Sequence, residues 1–122
     1  MSIKYTKDHE WIKLTSDNKA LVGISNHAQE ALGDITFVEM PKIGDEISKG
    51  DVFGVVESVK VASDLYMPVD AKILNINSEL ESAPELINQD ALASWIIEIE
   101  VANPAQLDSL LSEADYEKEI VE

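Results

Sequence analysis

The sequence contains no cysteine and no arginine, and each absence excludes a kind of chemistry. Without cysteine the chain has no disulfide framework, no thiolate metal site and no catalytic thiol. Without arginine it lacks the planar, five-donor group that binds carboxylates and phosphates bidentately. A glycine-rich phosphate loop is also missing. The sequence therefore argues against a phosphoryl-transfer or anion-binding enzyme.

Long apolar runs and an amino-terminal targeting signal are absent as well. No window approaches the roughly 18 consecutive apolar residues that a membrane-spanning helix needs. The first residues, MSIKYTKDHEW, have neither the apolar core of a signal peptide nor the Arg and Ser bias of a transit peptide. We therefore expect a cytoplasmic protein with no membrane partner.

Positive charge is scarce, because nine lysines oppose 24 acidic residues and the net charge is -15. Such a charge repels nucleic acids and anionic membranes and favours partners that present positive patches. We therefore expect no nucleic-acid partner, and a solvated surface is the simplest role for any single carboxylate.

The length of 122 residues and the hydrophobic fraction of 45% predict one domain, residues 1–122. Short β-rich runs alternate with Gly, Pro, Asn and Asp turn signals, a spacing typical of a small sandwich or flattened barrel rather than of βαβ units. We expect a mainly β fold. The predicted strands cover 10–14, 19–24, 35–40, 52–57, 63–66, 72–76 and 95–101.

Two short helices are predicted inside the chain. Ser25 can cap a helix over 26–32, and Gly33 follows where a left-handed residue is favoured. A second helix is predicted over 84–87, with Pro84 in its first turn.

A third helix is predicted near the C-terminus, over about 103–115. Asn103 is its expected cap, Pro104 its first helical residue and Gln106 the completion of a capping box. The acidic residues at the end of the chain, SEADYEKEIVE, are expected to be frayed and solvated.

The segment Gly50–Val69 consists of two strand-like runs that meet at Lys60, which predicts a hairpin with an exposed lysine at its reversal. The flanking residues Val59 and Val61 are unusual there, because β-branched residues favour strands over turns. An accessible amine on a flexible stem suits enzymatic acylation, yet most surface lysines have no specific role. The residues alone leave both interpretations open.

Catalytic and metal sites find little support. His9, Glu10 and His27 are residue types of acid–base and metal sites, but their spacing matches no metal signature. Glu57 and Asp64 form a carboxylate pair around the lysine without an identifiable nucleophile. We therefore expect no catalytic residue and no bound metal.

The residues around Lys60 resemble a known family. ESVKVASDLYMPV, at 57–69, is similar to the lipoyl-lysine segment of the glycine cleavage system H protein. Biotin carriers have methionines on both sides of the lysine, and 2-oxoacid dehydrogenase lipoyl domains have Asp-Lys-Ala, so Val59-Lys60-Val61 matches neither. The other similar stretches are YTKDHEWI at 5–12, VGISNHAQEALGDITFVEMP at 22–41, PELIN at 84–88 and Trp95.

The resemblance implies a carrier rather than an enzyme. The family fold is a flattened lipoyl/biotinyl-type β-barrel, a sandwich-like hybrid with short helices and a C-terminal helix. Lipoic acid would be joined to Lys60 as an amide by a lipoate–protein ligase or lipoyl transferase. The arm would take an aminomethyl group from glycine decarboxylase to the aminomethyltransferase and pass reducing equivalents to dihydrolipoyl dehydrogenase. We expect a monomer, although the sequence leaves the state of association open.

The resemblance also suggests roles for residues near the lysine. Stiff flanks would present Lys60 in one geometry to the modifying enzyme. In the family the loaded arm can fold into a surface cleft, for which Glu10 and Asp64 are the expected polar lining. The residues expected to serve recognition and presentation of the lysine are Glu57, Ser58, Val59, Val61 and Asp64.

The chain departs from the family pattern in three places. Val61 stands where a small alanine is usual, and Asp70 with Ala71 replaces a pair that commonly includes glycine. The stretch Ala91–Ser94 replaces a glycine-containing stretch before Trp95. The last departure bears on loop shape near the expected docking surface.

Two alternative functions remain open. One is an H-like relay protein that donates lipoyl groups to other enzymes, which needs the same lysine and fold. The other, of a different class, is an unmodified module that uses its acidic surface to bind a basic partner.

Overall fold

A computed structural model describes residues 3–16 and 18–120. The strands are β1 (Ile3–Tyr5), β2 (Glu10–Leu14), β3 (Lys19–Ile24), β4 (Ile35–Glu39), β5 (Glu46–Ile47), β6 (Val52–Ser58), β7 (Ala62–Tyr66), β8 (Ala71–Ile76), β9 (Ile97–Val101) and β10 (Leu111–Ser112). The helices are α1 (Asn26–Leu32), α2 (Glu79–Ser82), α3 (Leu86–Gln89) and α4 (Glu113–Ile120), with a 3₁₀ helix at Pro104–Ser109.

The strands form two antiparallel sheets. The larger has the order β10-β1-β2-β3-β9-β8-β5, and the smaller has the order β4-β6-β7. The predicted mainly β, sandwich-like fold is confirmed, while the strand pairing in the described residues does not close the two sheets into a barrel.

The predicted strands are all present, and their ends agree with the structure to within two residues. The agreement follows from clear patterns: in β9, Ile97, Ile99 and Val101 are buried while the glutamates between them are half-buried. The strands that sequence patterns missed are β1, β5 and β10, each of only two or three residues. Such short runs carry too few positions for a period to be recognised.

Both sheets contribute to one apolar core. Its members from the larger sheet include Val22, Ile73 and Ile99, and those from the smaller sheet include Val38, Val56 and Leu65. A smaller cluster of Tyr5, Trp11 and Tyr116 packs where α4 meets β1. Among the described residues, no helix is both long and apolar enough to span a membrane.

The predicted helix over 26–32 is confirmed together with both of its ends. The Ser25 side chain accepts a hydrogen bond from the amide of Ala28, and the amide of Gly33 donates to the Gln29 carbonyl. The second predicted helix is shifted, because α3 begins at Leu86, two residues after Pro84. The preceding helix α2 was not predicted.

The prediction of one helix over 103–115 is wrong in its extent. Asn103 does cap, accepting from the Ala105 amide at 3.2 Å, but the turns that follow are 3₁₀ and end at Ser109. The Gln106 side chain does not complete a capping box; its oxygen accepts from the amide of Asp70 at 2.7 Å. A contact with another element therefore replaces the local one.

The expectation of a frayed, solvated C-terminus is also wrong for the described residues. After the 3₁₀ helix the chain pairs as β10 with β1 and then forms α4. Tyr116 of α4 is buried and stacks on Tyr5, with ring centroids 4.3 Å apart. The acidic composition gave no indication that one aromatic side chain, Tyr116, packs the helix against β1.

Candidate functional site

Lys60 occupies the turn between β6 and β7, as the sequence predicts for a hairpin within about 50–69. The turn is closed by a hydrogen bond from the amide of Ser58 to the Val61 carbonyl at 2.8 Å. The Ser58 hydroxyl oxygen accepts from the amides of Lys60 and Val61, both at 3.2 Å. One serine side chain thus organises the whole turn.

This organisation explains the valines at the turn. Outside the glycines, His9 alone among the described residues has a positive φ, so the turn does not force Val59 or Val61 into the left-handed region that β-branched residues avoid. The Ser58 hydroxyl oxygen accepts hydrogen bonds from the backbone amides of the turn, so the turn does not depend on a glycine or an asparagine. The valine side chains extend outward and are 67% and 53% exposed.

The tip of the hairpin is attached to the chain that leads into β4. The amide of Val59 donates to the Asp34 carbonyl at 3.0 Å. The Thr36 hydroxyl donates to the Glu57 carbonyl at 3.3 Å. Lys60 itself is exposed, and its aliphatic stem passes beside Gly33. The lysine is therefore accessible while the backbone beneath it is fixed.

Glu57 and Asp64 lie on one face of the hairpin. Glu57 is paired with Ala62, and Asp64 is paired with Val55, so the two carboxylates are diagonal neighbours across β6 and β7. Both side chains are exposed. Together they give the outer face beside the lysine a negative charge.

Glu10 is at a different place, inside a cleft of about 240 Å³. Its side chain is 1% exposed; Oε1 accepts from the Thr6 hydroxyl and Oε2 from the Tyr66 amide, both at 2.9 Å. Burial raises the pKa of Glu10 to about 7, because desolvation of the carboxylate outweighs its hydrogen bonds from Tyr66 and Thr6, and nearby Asp8 raises it further. The carboxyl can hold or release a proton near neutral pH.

The cleft lies at the end of β7 opposite Lys60. Besides Glu10, it is lined by Thr6, Lys49, Tyr66, Pro68 and Leu110 among others, while Asp64 is not among its lining residues. Asp64 and Tyr66 are two positions apart on one strand and so lie on one face of β7. The structure thus brings Glu10 to the cleft and Asp64 to the strand face between the cleft and the lysine.

The two histidines lie close together, although the sequence places them in separate elements. The rings of His9 and His27 are 4.9 Å apart, and burial together with the charge of His27 lowers the pKa of His9. Nδ1 of His9 lies 2.7 Å from the Tyr116 hydroxyl, which is 2.6 Å from the hydroxyl of Ser25. Among the described residues no group of three or more His, Cys, Asp or Glu could hold a metal ion.

The sequence did not predict the contacts that three residues make near these sites: Gly33 beside the lysine stem, Asn88 of α3 and Tyr116 of α4. A helix-ending glycine and an isolated asparagine are common in any sequence, so their local patterns carry no signal of contact with the lysine hairpin.

The divergent stretch Ala91–Ser94 is packed against the rest of the fold. Ala91 is buried, and its carbonyl accepts from the Trp11 indole at 3.1 Å. The Ser94 hydroxyl donates to the Leu86 carbonyl at 2.9 Å. The stretch is held at both ends without glycine.

Comparisons with known proteins agree with one another. A family model described as "Glycine cleavage H-protein" matches residues 3–122. A glycine cleavage system H protein of Alkaliphilus oremlandii is 56% identical over 112 residues, covering 92% of this chain and 87% of that protein. One of Carboxydothermus hydrogenoformans is 53% identical over 117 residues, covering 95% and 89%.

Structural comparison gives the same result. The crystal structure of a glycine cleavage system H protein from Mycobacterium marinum matches with a TM-score of 0.87 at 35% sequence identity. The match covers 96% of this chain and 94% of that one. The structural similarity therefore extends over nearly the whole chain.

Proposed function

Because the chain belongs to the glycine cleavage H-protein family, we propose that it is the lipoyl carrier of a glycine cleavage system, with lipoic acid joined to Lys60. The observation that carries this proposal is the hairpin tip, where an exposed lysine stands on a backbone fixed by Ser58 and Asp34. The whole chain acts as one carrier domain and has no catalytic residue of its own.

The residues at the tip fit the attached group. An amide bond needs an amine that a modifying enzyme can reach, and Lys60 is exposed between two outward-pointing valines. When attached, the lipoyl group would supply a disulfide that is reduced as it takes the aminomethyl unit of glycine, and the dithiol left after that unit is unloaded would be reoxidised. The chain itself contributes a fixed base for the arm and an acidic face beside it.

The acidic face is suited to recognition by enzymes with basic entrances. Glu57 and Asp64 lie on that face, and the net charge of -15 would favour approach of positive surfaces. The partners on this account are glycine decarboxylase, the aminomethyltransferase, dihydrolipoyl dehydrogenase and the lipoate–protein ligase or lipoyl transferase. Ser58, Val59 and Val61 would fix the geometry in which those enzymes meet the lysine.

The Glu10 cleft is the proposed resting place of the loaded arm. β7 runs from Ala62 to Tyr66, about 13 Å at about 3.3 Å per residue, and Lys60 lies in the turn before it. The lysine stem and the lipoyl chain together reach on the order of 10–15 Å from bonds of about 1.5 Å. The arm would therefore have to lie flat along β7, past Asp64, to enter the near side of the cleft. Loading the lipoylated chain with the aminomethyl unit should then shift the amide resonances of Thr6 and Tyr66, and unchanged resonances would remove the cleft from the proposal.

Reconstituted decarboxylation of glycine tests the proposed function. Glycine decarboxylase is supplied with this chain, with and without lipoate attached, and release of carbon dioxide is measured. The lipoylated chain should support turnover, while the unmodified chain and Lys60→Arg should not. Lys42→Arg, an equivalent change at another exposed lysine, should behave as the unsubstituted chain does.

Two outcomes would redirect the assignment. A lipoylated chain that leaves glycine decarboxylase inactive but donates its lipoyl group to another apoprotein would identify a relay protein. A chain that cannot be lipoylated at all would leave the acidic interaction module as the function.

A further inference from the structure

Asn88 of α3 forms hydrogen bonds with both its side-chain oxygen and its side-chain nitrogen. The partners are the segment Gly33–Ile35 and Gln29 of α1. Its Oδ1 accepts from the amide of Ile35 at 2.9 Å. Its Nδ2 donates to the carbonyl of Gly33 and to Oε1 of Gln29, each at 2.9 Å. One side-chain amide therefore holds the segment on both sides of Asp34.

Asp34 is the residue to which the lysine hairpin is attached. Its carbonyl accepts from the amide of Val59, which immediately precedes Lys60. With the Gly33 carbonyl and the Ile35 amide both held by Asn88, the intervening carbonyl has little freedom to turn away. These three hydrogen bonds of Asn88, called the clamp below, also fix Gly33, which lies beside the lysine stem.

The residues that position the Asn88 side chain are themselves buried. Ile87, the neighbour of Asn88 on α3, is fully buried in the core. Gln29, the second acceptor of the Asn88 amide, lies on α1 with 9% of its surface exposed. The clamp thus links the exposed hairpin tip to the core through two helices.

We propose that Asn88 is a positioning residue for Lys60, acting through Asp34 and Gly33 to hold the hairpin tip in the geometry that a lipoate-attaching enzyme binds. This inference rests on the proposed function, because it assigns Asn88 a part in lipoylation. Asn88 touches neither the lysine nor the attached group; it sets the fraction of molecules whose tip is ready to bind.

Loss of the clamp should change the KM of lipoylation more than its kcat. A carrier whose tip is correctly placed only part of the time binds more weakly by that fraction. The KM of the carrier for the ligase rises while kcat is retained, since the bound complex is unchanged. With one hydrogen bond worth about 1 kcal/mol, the rise in KM is at most about fivefold, because a tip that is already well ordered loses a smaller part of its binding-competent fraction.

The test compares Asn88→Asp with the unsubstituted chain. The aspartate keeps the size of the side chain but presents an oxygen to the Gly33 carbonyl and to Gln29 Oε1, where Nδ2 now donates. Asn77→Asp is the matched control, because Nδ2 of the half-buried Asn77 donates to the Trp95 carbonyl, outside the Gly33–Ile35 segment and the hairpin. Asn88→Ala serves as a second variant in case the aspartate impairs folding.

Two quantities are measured on each folded variant. Hydrogen exchange of the Val59 amide reports the hairpin attachment without any enzyme, and lipoate–protein ligase with lipoate and ATP gives KM and kcat. The proposal predicts exchange about fivefold faster and a higher KM in the Asn88 variants, with neither effect in Asn77→Asp. Unchanged Val59 exchange, or faster exchange with an unchanged KM, would overturn it.

The two proposals fail in different ways. If the unsubstituted chain is not lipoylated, the proposed function is wrong, and with it the role of Asn88 in lipoylation, even if Val59 exchange is faster in the variants. If the unsubstituted chain is lipoylated and the Asn88 variants match Asn77→Asp, only the role of Asn88 is wrong.

Discussion

The side chain of Lys60 passes so close to Gly33 that a β-carbon added to the glycine would lie 3.4 Å from Cε and 3.7 Å from Nζ of the lysine. Gly33 also has φ 81° and ψ -151°, a combination that residues with a side chain rarely adopt. The glycine is therefore required by its own backbone, and a side chain there would be in van der Waals contact with the lysine.

Gly33→Ala should destabilise the fold and disturb the lysine. The strained backbone should cost about 1–3 kcal/mol of the free energy of unfolding, measured by urea denaturation. Lipoylation of Lys60 should also slow. Gly44→Ala is the control, because Gly44 has φ 96° with nothing within 4 Å of the added carbon. Equal lipoylation by both variants would show that the contact with Lys60 is unimportant.

Glu10→Gln should change how stability depends on pH. The folded-state pKa of Glu10 is raised from 4.5 to about 7, so the folded chain binds a proton that the unfolded chain has released between these values. The stabilising effect of that proton is complete below about pH 4.5 and is lost as the pH rises through 7. Glutamine mimics the protonated carboxyl at every pH. The stability of the variant relative to the unsubstituted chain should therefore increase by about 2–4 kcal/mol as the pH rises from 5 to 8.

Urea denaturation at several pH values measures that difference. Glu81→Gln, a change at an exposed glutamate of α2, is the control and should give a nearly constant difference. A constant difference for Glu10→Gln as well would mean that Glu10 titrates as an exposed carboxylate does.

Tyr116→Phe should loosen the C-terminal helix. It keeps the stack on Tyr5 but removes the hydroxyl that lies between His9 and Ser25. The expected loss is about 1–2 kcal/mol of the free energy of unfolding, because buried polar groups lose a partner. Tyr5→Phe removes a hydroxyl from the same stacked pair without affecting that bridge. Equal losses in the two variants would indicate that the bridge adds no stability.

Replacing both Val59 and Val61 by glycine should slow lipoylation. Each glycine adds backbone freedom worth about 0.5–1 kcal/mol, or about 1–2 kcal/mol for the pair, so the rate should fall by about five- to thirtyfold. The turn itself should persist, because Ser58 supplies its hydrogen bonds. An unchanged rate would show that stiff flanks are not needed to present the lysine.

Local patterns predicted most of the strands and the helix α1, because these elements are determined by residues close together in the sequence. Ser25 caps α1, Gly33 ends it, and buried residues alternate with half-buried ones along β9. Prediction failed where a distant contact decided the conformation. Gln106 bonds to Asp70 instead of completing a cap, and Tyr116 docks an acidic segment that resembled a solvated end.

In the candidate site, too, the parts formed by neighbouring residues could be predicted and those formed by distant residues could not. Lys60 and its neighbours form one continuous stretch of sequence, so local sequence patterns are enough to recognise the hairpin. The burial of Glu10 depends on Thr6 and on Tyr66, 56 residues away. The clamp at Asn88 joins residues 53 and 59 positions apart. Contacts at such separations leave no local pattern that could be read from one sequence.

The intact mass of the chain, purified from cells supplied with lipoate, tests the central claim most directly. We expect a lipoyl increment on the unsubstituted chain, mapped to Lys60 by peptide analysis, the same increment on Lys42→Arg, and none on Lys60→Arg. No increment, a biotin increment, or a lipoyl group retained by Lys60→Arg would contradict the assignment of Lys60 as the point of lipoyl attachment.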